Sequence, residues 1–269
     1  MIVPEVGTIP SHRAVFFIHF LKNPASYYNF CRVSNVVYRI GHIETEVGKM
    51  IRILLVAAIA GMGLIYIFFI PDEPVGFKIL MKLIPMALLI LFALVTKPML
   101  STTYKRIIIG GLVVCMIADG VIYWFIPGLI TFFIGHIFYI FAFRHAIRRP
   151  MPVWAAVLLL LYGAVMAFWI SGLQFIEGEM VLGIAIIAYI IIISLMGWMA
   201  IRTRLPLAII GALLFIFSDS VLAVDRFVYD IPYRDAFVMI SYYGAQIFIA
   251  ASIGSRFVKY SVNRKSLIR

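Results

Sequence analysis

Long apolar stretches dominate this chain of 269 residues and constrain its fold more than any other feature. Hydrophobic residues make up 64% of the sequence and charged residues only 13%, whereas roughly a quarter of the residues in a water-soluble domain are charged. The apolar stretches are unbroken rather than alternating, which indicates transmembrane helices and argues against a β-barrel. The sequence therefore predicts an all-α, polytopic membrane protein.

Eight stretches are long enough to cross a bilayer, since about 20 apolar residues span it as a helix. A basic segment at residues 1–49 precedes the membrane domain at 50–258, and a basic tail at 259–269 follows it. Two interpretations of residues 1–49 stay open: a cytoplasmic segment on the membrane surface, or a transit peptide. The predicted spans are residues 51–70, 77–95, 106–124, 128–143, 153–171, 180–201, 206–224 and 236–257.

The basic residues indicate membrane orientation rather than nucleic-acid binding. The net charge is +11, and most Lys and Arg fall in the terminal segments and in the loops after even-numbered spans. The remaining loops carry mainly Asp and Glu. Because cytoplasmic loops are enriched in Lys and Arg, both termini are predicted to be cytoplasmic. No nucleic-acid partner is expected.

Two fragments 100 positions apart, GLVVCMIADGV (111–121) and GALLFIFSDSV (211–221), place an Asp in the same apolar setting. An ionisable group at membrane depth is costly and usually marks function. The offset relates span three to span seven and indicates a four-plus-four parallel repeat, in which ligand sites lie between the two halves. We therefore expect Asp119 and Asp219 to face each other across a central cavity.

Further polar residues lie in the outer halves or near the middle of the predicted spans. Each has an alternative without a functional role: Lys82 could extend to the interface, His136 could satisfy an interhelical hydrogen bond, and Asp225 could be a solvated loop carboxylate. The tyrosines could belong to an interfacial aromatic belt. The polar set predicted around the two acids is Lys82, His136, Asp225, Ser241, Tyr242, Tyr243 and Gln246.

Two carboxyl groups in one low-dielectric cavity cannot both ionise at low cost, so one keeps a proton and the other acts as the base. This arrangement suits hydrolysis through an oxocarbenium-like intermediate. It would also serve a proton-coupled transporter, and the residues alone do not decide between the two. The chain has no serine-hydrolase, zinc or nucleotide-binding motif, and no metal or organic cofactor is expected.

Five motifs in the membrane domain carry a family resemblance. In order they are KLIP (82–85), ADGV (118–121), GHIFYIFAF (135–143), GALLFIFSDSVLAVDRF (211–227) and IPYRDAFVMISYYGAQ (231–246). Together they resemble the YhhN-like membrane family, the lysoplasmalogenases. The resemblance extends from Lys78 to Ala251, and one departure from it is Ala118, where the family usually has Gly.

The resemblance implies an eight-span enzyme that cleaves the vinyl ether bond of lysoplasmalogens, releasing a fatty aldehyde and glycerophosphocholine or glycerophosphoethanolamine. The family's intramembrane acids correspond to Asp119 and Asp219, without a decision as to which is the proton donor. The alternative is a proton-coupled transporter or a lipid-binding membrane protein. An endoplasmic reticulum membrane is expected, and the oligomeric state stays open. The expected substrate-binding residues are Lys82, His136, Tyr139, Ser241, Tyr242, Tyr243 and Gln246, with Asp225 given less weight.

Overall fold

The computed structural model describes the backbone of residues 24–71 and 73–255, and the side chains of residues 46–71 and 73–255. The tail predicted at residues 259–269 and most of the basic segment at 1–49 lie outside the described side chains. The chain has two compact units with their boundary after Ile51, and the helical bundle described below begins at Arg52.

Eight long helices make up most of the described chain, and no strand occurs in the described residues. Each predicted span overlaps one helix, so the prediction of an all-α protein with eight long helices is confirmed. The helices are α1 (Pro24–Phe69), α2 (Val75–Val95), α3 (Thr102–Val121), α4 (Phe125–His145), α5 (Val153–Ile176), α6 (Met180–Thr203), α7 (Pro206–Phe227) and α8 (Arg234–Ala251).

Local sequence signals explain several helix ends. The Ser101 side chain caps α3 by accepting a hydrogen bond from the backbone N–H of Tyr104 at 3.0 Å. Helix α4 begins at Phe125, earlier than predicted, because Pro127 lies in its first turn, where a missing N–H leaves no partner unsatisfied. Within α5, residues Ala167–Ser171 form a π-helical turn, a local widening that often occurs at functional sites.

Seven of the helices are long and apolar enough to cross a membrane, which makes this a multi-pass membrane protein. Helix α3 is less apolar because its 20 residues include Lys105, Arg106 and Asp119. It packs against α2, α4 and α8, and Asp119 is only 1% exposed. The helix that carries this buried acid is therefore packed among three neighbours.

The helix packing follows the pattern expected of a parallel repeat. Helix α3 packs on α4 as α7 packs on α8, and α2 packs on α3 as α6 packs on α7. Helix α4 contacts α6, and α8 contacts α2 in the same way. Exchanging α2, α3 and α4 with α6, α7 and α8 thus reproduces the main contacts, as the four-plus-four repeat requires.

The two ends of the bundle differ in charge. Acidic residues predominate in the connections before α2, α6 and α8, and basic residues predominate at the opposite end. The terminal basic residues that also entered the orientation argument lie outside the described side chains. At the basic end the described chain contains Lys97, Lys105, Arg106, Arg144, Arg148, Arg149, Arg202 and Arg204.

Gly111 and Gly211, the first residues of the two related fragments, make equivalent close contacts. A Cβ atom at Gly111 would collide with the Tyr139 ring of α4. A Cβ atom at Gly211 would lie 2.7 Å from Cγ1 of Ile249 and 2.9 Å from the carbonyl oxygen of Ala245, both in α8. Glycine therefore permits the close approach of α3 to α4 and of α7 to α8.

We expect Gly211→Ala to destabilise the bundle, because the new methyl group would meet a backbone carbonyl of α8 that cannot rotate away. Overpacking of this kind costs about 1–3 kcal/mol. Gly61→Ala is the matched control, since Gly61 is also helical and its Cβ would have no neighbour within 4 Å. Thermal unfolding in detergent should give a lower midpoint for Gly211→Ala only; equal midpoints for the two variants would contradict this packing.

Candidate functional site

A polar cavity lies at the acidic end of the bundle and reaches inward to the two membrane-level acids. Its empty volume is about 1210 Å³, and both Asp119 and Asp219 line it. Side chains from α1, α2, α3, α4, α7 and α8 form its walls. The cavity therefore brings together the two carboxyl groups that the sequence repeat singled out.

Asp119 is held on both of its carboxylate oxygens. The Lys82 ammonium group of α2 lies 2.9 Å from Asp119 Oδ1, and the Tyr242 hydroxyl of α8 donates a hydrogen bond to Asp119 Oδ2 at 2.7 Å. The side chain of Lys82 is 15% exposed and that of Asp119 is 1% exposed. A carboxylate this deeply buried needs such a counter-charge, because an isolated ion away from water is very costly.

Asp219 has different partners. The Tyr189 hydroxyl of α6 donates a hydrogen bond to Asp219 Oδ2 at 2.6 Å. His136 Nε2 of α4 lies 3.0 Å from the Tyr189 hydroxyl and 3.5 Å from Asp219 Oδ2. Because the Tyr189 proton points to Asp219, the Tyr189 oxygen is available to accept a hydrogen bond from His136 Nε2–H. Among the described residues, His136 Nδ1 has no hydrogen-bond partner.

The partners of the two acids come from corresponding helices of the repeat, in which α2, α3 and α4 match α6, α7 and α8. Asp119 of α3 is contacted from α2 and α8, whereas Asp219 of α7 is contacted from α6 and α4. The helices correspond, but the side chains do not: one acid meets an ammonium group and the other meets a Tyr–His pair. The repeat therefore places two carboxyl groups alike and gives them unlike chemistry.

An aromatic side chain separates the two networks. The Phe215 ring of α7 lies edge-on to four rings, with centroid distances of 4.7 Å to His136, 5.4 Å to Tyr242, 6.3 Å to Phe132 and 6.4 Å to Tyr139. Phe215 itself is fully buried. Rigid aromatic packing of this kind fixes the orientation of the side chains that hold the acids.

An apolar groove adjoins the polar cavity. Helices α4, α5, α6 and α7 contribute its walls, including Ile170 of the π-helical turn. Asp219 lines both the groove and the cavity, whereas Asp119 lines the cavity. Apart from Asp219, the residues common to both are apolar: Ile122, Phe125, Phe132 and Leu222.

Four other predicted substrate-binding residues lie behind the cavity wall. The Tyr139 hydroxyl donates to Gln246 Oε1 at 2.6 Å, and both side chains are fully buried. The Tyr243 hydroxyl donates to the backbone carbonyl of Lys82 at 3.0 Å. The Ser241 hydroxyl donates to carbonyl oxygens of its own helix. Of the predicted substrate-binding set, Lys82 and Tyr242 line the cavity, and His136 reaches it through Tyr189 and Asp219.

Asp225, the acid given less weight, lies at the mouth of the cavity. Its Oδ2 atom accepts from Arg234 Nε at 2.9 Å, and its Oδ1 atom accepts from the backbone N–H of Ile231 at 2.9 Å. These contacts tie the end of α7 to the start of α8. Asp225 is thus positioned to order the connecting loop.

Two residues around the acids were not predicted from the sequence. Tyr189 is the single tyrosine of α6, and a phenolic hydroxyl in a mostly apolar span was the signal that could have identified it. Phe215 gave no such signal, since it is one of 22 phenylalanines in the chain. Within the described residues, no three His, Cys, Asp or Glu side chains come together as a metal site would require.

The fold and the site define a polytopic membrane protein with two carboxyl groups in one cavity, one buried and the other partly exposed. The chain belongs to the YhhN family, whose family model matches residues 77–253. That range contains both acids and every contact described for them.

Relatives from mammals align over most of their own length. Lysoplasmalogenase TMEM86B of Homo sapiens is 33% identical over 191 residues, covering 70% of this chain and 80% of the relative. The Rattus norvegicus protein of the same name is 32% identical over 206 residues, 75% of this chain and 84% of the relative. Lysoplasmalogenase TMEM86A of Bos taurus is 31% identical over 207 residues, 70% and 82% respectively. No solved structure matches the chain.

We expect Lys82→Met to destabilise the protein strongly, because it leaves the Asp119 carboxylate buried without its counter-charge. Removing one partner of a buried ion pair costs about 3–5 kcal/mol of folding free energy. In a domain of this size, a loss of about 3 kcal/mol lowers the unfolding midpoint by roughly 6–12 °C. The double variant Lys82→Met/Asp119→Asn removes both charges and should recover much of that loss.

Lys78→Met is the matched control for this measurement. Lys78 lies 3.5 Å from Asp235, and the two side chains are 25% and 47% exposed, so that ion pair contributes little. Unfolding midpoints in detergent should therefore order as wild type, Lys78→Met, double variant and Lys82→Met, from highest to lowest. A double variant no more stable than Lys82→Met would contradict the buried ion pair.

Proposed function

We propose that this protein is a lysoplasmalogenase, a membrane hydrolase that cleaves the vinyl ether bond of a lysophospholipid. The products would be a fatty aldehyde and a glycerophospho-base, either glycerophosphocholine or glycerophosphoethanolamine. Membership of the YhhN family and the names of the mammalian relatives support this activity. The observation that carries the proposal is the one cavity shared by Asp119 and Asp219, with different partners for each.

The different partners support a division of roles. Asp119 acts as the carboxylate, because the ammonium group of Lys82 at 2.9 Å compensates its negative charge. Asp219 acts as the proton donor, because the groups beside it are the Tyr189 hydroxyl and the His136 ring rather than a lysine or arginine. Tyr189 hydrogen-bonds to Oδ2 of Asp219, which leaves Oδ1 to carry the proton.

The position of Asp219 suits protonation of a vinyl ether. The substrate's double bond lies where its hydrocarbon chain meets the glycerol, and Asp219 lies where the apolar groove meets the polar cavity. A chain in the groove and a glycerophospho group in the cavity would bring the double bond to Asp219. The walls of the groove would exclude water from the chain, in line with the mostly apolar lining of lipid and ligand sites.

The reaction then follows in balanced steps. Asp219 gives its proton to the alkene carbon on the chain side, and the resulting oxocarbenium ion is stabilised by the Asp119 carboxylate. Asp119 next takes a proton from water as the water oxygen bonds to the cationic carbon, which forms a hemiacetal. The hemiacetal collapses when Asp119 returns its proton to the glycerol oxygen and Asp219 takes the hydroxyl proton. Aldehyde and alcohol leave, and both carboxyl groups are restored.

We expect Asp119→Asn and Asp219→Asn each to reduce aldehyde release from lysoplasmenylethanolamine by about 10²–10⁴-fold, the usual contribution of acid–base catalysis. Asp230→Asn, a change in the loop between α7 and α8, is the matched control and should retain wild-type turnover. Because Asn at 119 leaves Lys82 without its partner, Lys82→Met/Asp119→Asn serves as a second test with the charge balance kept.

Three outcomes of that assay discriminate among functions. Loss of aldehyde release in folded acid variants that still bind substrate supports the hydrolase. Wild-type turnover in either folded acid variant would refute the assigned roles. A folded wild-type protein that releases no aldehyde, yet moves lysophospholipid across a bilayer when a proton gradient is applied, would favour the transporter instead.

We also propose that both termini face the cytoplasm and that the cavity opens on the opposite side, in an endoplasmic reticulum membrane. The charge difference between the two ends of the bundle supports this orientation, and family resemblance supports the compartment. An N-glycosylation acceptor inserted in the loop 228–233 should be glycosylated, whereas one inserted in the loop 146–152 should not. The reverse pattern would invert the proposed topology.

A further inference from the structure

Among the described residues, one cation that lines the polar cavity has no carboxylate as a partner. Three of the cavity's cations form ion pairs with carboxylates: Lys82 with Asp119, Lys78 with Asp235, and Arg234 with both Asp225 and Asp235. The remaining cation is Arg226. In all, the cavity is lined by four basic and four acidic side chains, which are Lys78, Lys82, Arg226, Arg234, Asp119, Asp219, Asp225 and Asp235.

Arg226 lies at the mouth of the cavity with its guanidinium group accessible. Its Cζ atom is 5.3 Å from the centroid of the Phe125 ring, and no described carboxylate lies within ion-pair distance of it. Phe125 lines both the cavity and the groove. The stacking holds the planar guanidinium at the junction of the two while leaving its N–H groups free to bind a ligand.

Arg226 and Asp219 lie on the same face of α7. They are seven residues apart, which is nearly two helical turns and a rise of about 10.5 Å. Leu222 and Ala223, the residues between them on that face, line the cavity or the groove. A ligand that contacts both ends of this face must therefore combine an anion with a reactive group about two turns away.

In a lysophospholipid, the distance between the phosphate and the vinyl ether matches this spacing. Five bonds separate its vinyl ether oxygen from its phosphorus atom, a distance of about 6 Å at the rise per bond of an extended chain. A hydrogen bond of about 3 Å at each end extends this reach to about 12 Å. That length is close to the helical rise of about 10.5 Å between Asp219 and Arg226.

We propose that Arg226 binds the phosphate group of the substrate and thereby positions the vinyl ether at Asp219. The guanidinium fork would donate two parallel hydrogen bonds to phosphate oxygens. Lys82, one of the expected substrate-binding residues, is already paired with Asp119 at 2.9 Å. The inference rests on the proposed function, since it takes a lysophospholipid as the ligand.

The test compares two ligands that differ only in the phosphate group. One is a saturated 1-alkyl-glycerophosphoethanolamine and the other a 1-alkylglycerol of the same chain length; neither has a double bond, so binding is measured without turnover. Arg226→Gln should weaken binding of the phospholipid about ten-fold or more, the loss of a charge-assisted hydrogen bond, and leave binding of the alkylglycerol unchanged. Arg226→Lys should fall between wild type and Arg226→Gln. Arg106→Gln, at the basic end of the bundle, is the matched control.

The outcomes separate this inference from the proposed function. If Arg226→Gln binds the phospholipid as tightly as wild type does, Arg226 is not the phosphate site, even if wild-type protein releases aldehyde. If the variant loses affinity for both ligands equally, Arg226 shapes the cavity instead, and the inference is again refuted. If wild-type protein shows the phosphate-dependent binding but releases no aldehyde from lysoplasmenylethanolamine, the phosphate site stands and the hydrolase proposal fails.

Discussion

The rest of this structure depends on the cost of holding carboxyl groups away from water at membrane depth. Asp119 is 1% exposed, and a charge so buried is tolerated only with a counter-ion and hydrogen bonds on its oxygens. Lys82 and Tyr242 supply both, from two different helices. The contact therefore joins α2, α3 and α8 around one point.

The internal repeat places two carboxyl groups in corresponding positions, but their neighbouring side chains differ. Corresponding helices reach each acid, but an ammonium group stands beside Asp119 and a Tyr–His pair stands beside Asp219. Two identical environments would give two carboxyl groups competing for one role. Unlike environments allow one to hold a proton and the other a charge, which is what acid–base catalysis at a single bond requires.

Sequence reasoning identified the features that stand out against an apolar background. Eight helices followed from the lengths of the apolar runs, and Asp119 and Asp219 followed from a charge repeated at equal depth. Tyr189 gave only the weak signal of one phenolic hydroxyl in an apolar span, and Phe215 gave none because phenylalanine is common in these spans. Only the packing gives the two residues their neighbours. The sequence also could not predict which cation would contact a phosphate. Lys82 pairs with Asp119, a residue far from it in sequence, and only the structure shows that this pairing leaves Arg226 free to bind a ligand.

The most direct test of the account is an experimental structure with a saturated 1-alkyl-glycerophosphoethanolamine bound. The account predicts the alkyl chain in the groove of α4 to α7 and the ether carbon at reacting distance, about 3–3.5 Å, from the Asp219 carboxyl group. Asp119 should lie on the opposite, polar side of that carbon. A ligand bound with its ether group away from both acids would contradict the central claim that these two carboxyl groups perform the chemistry.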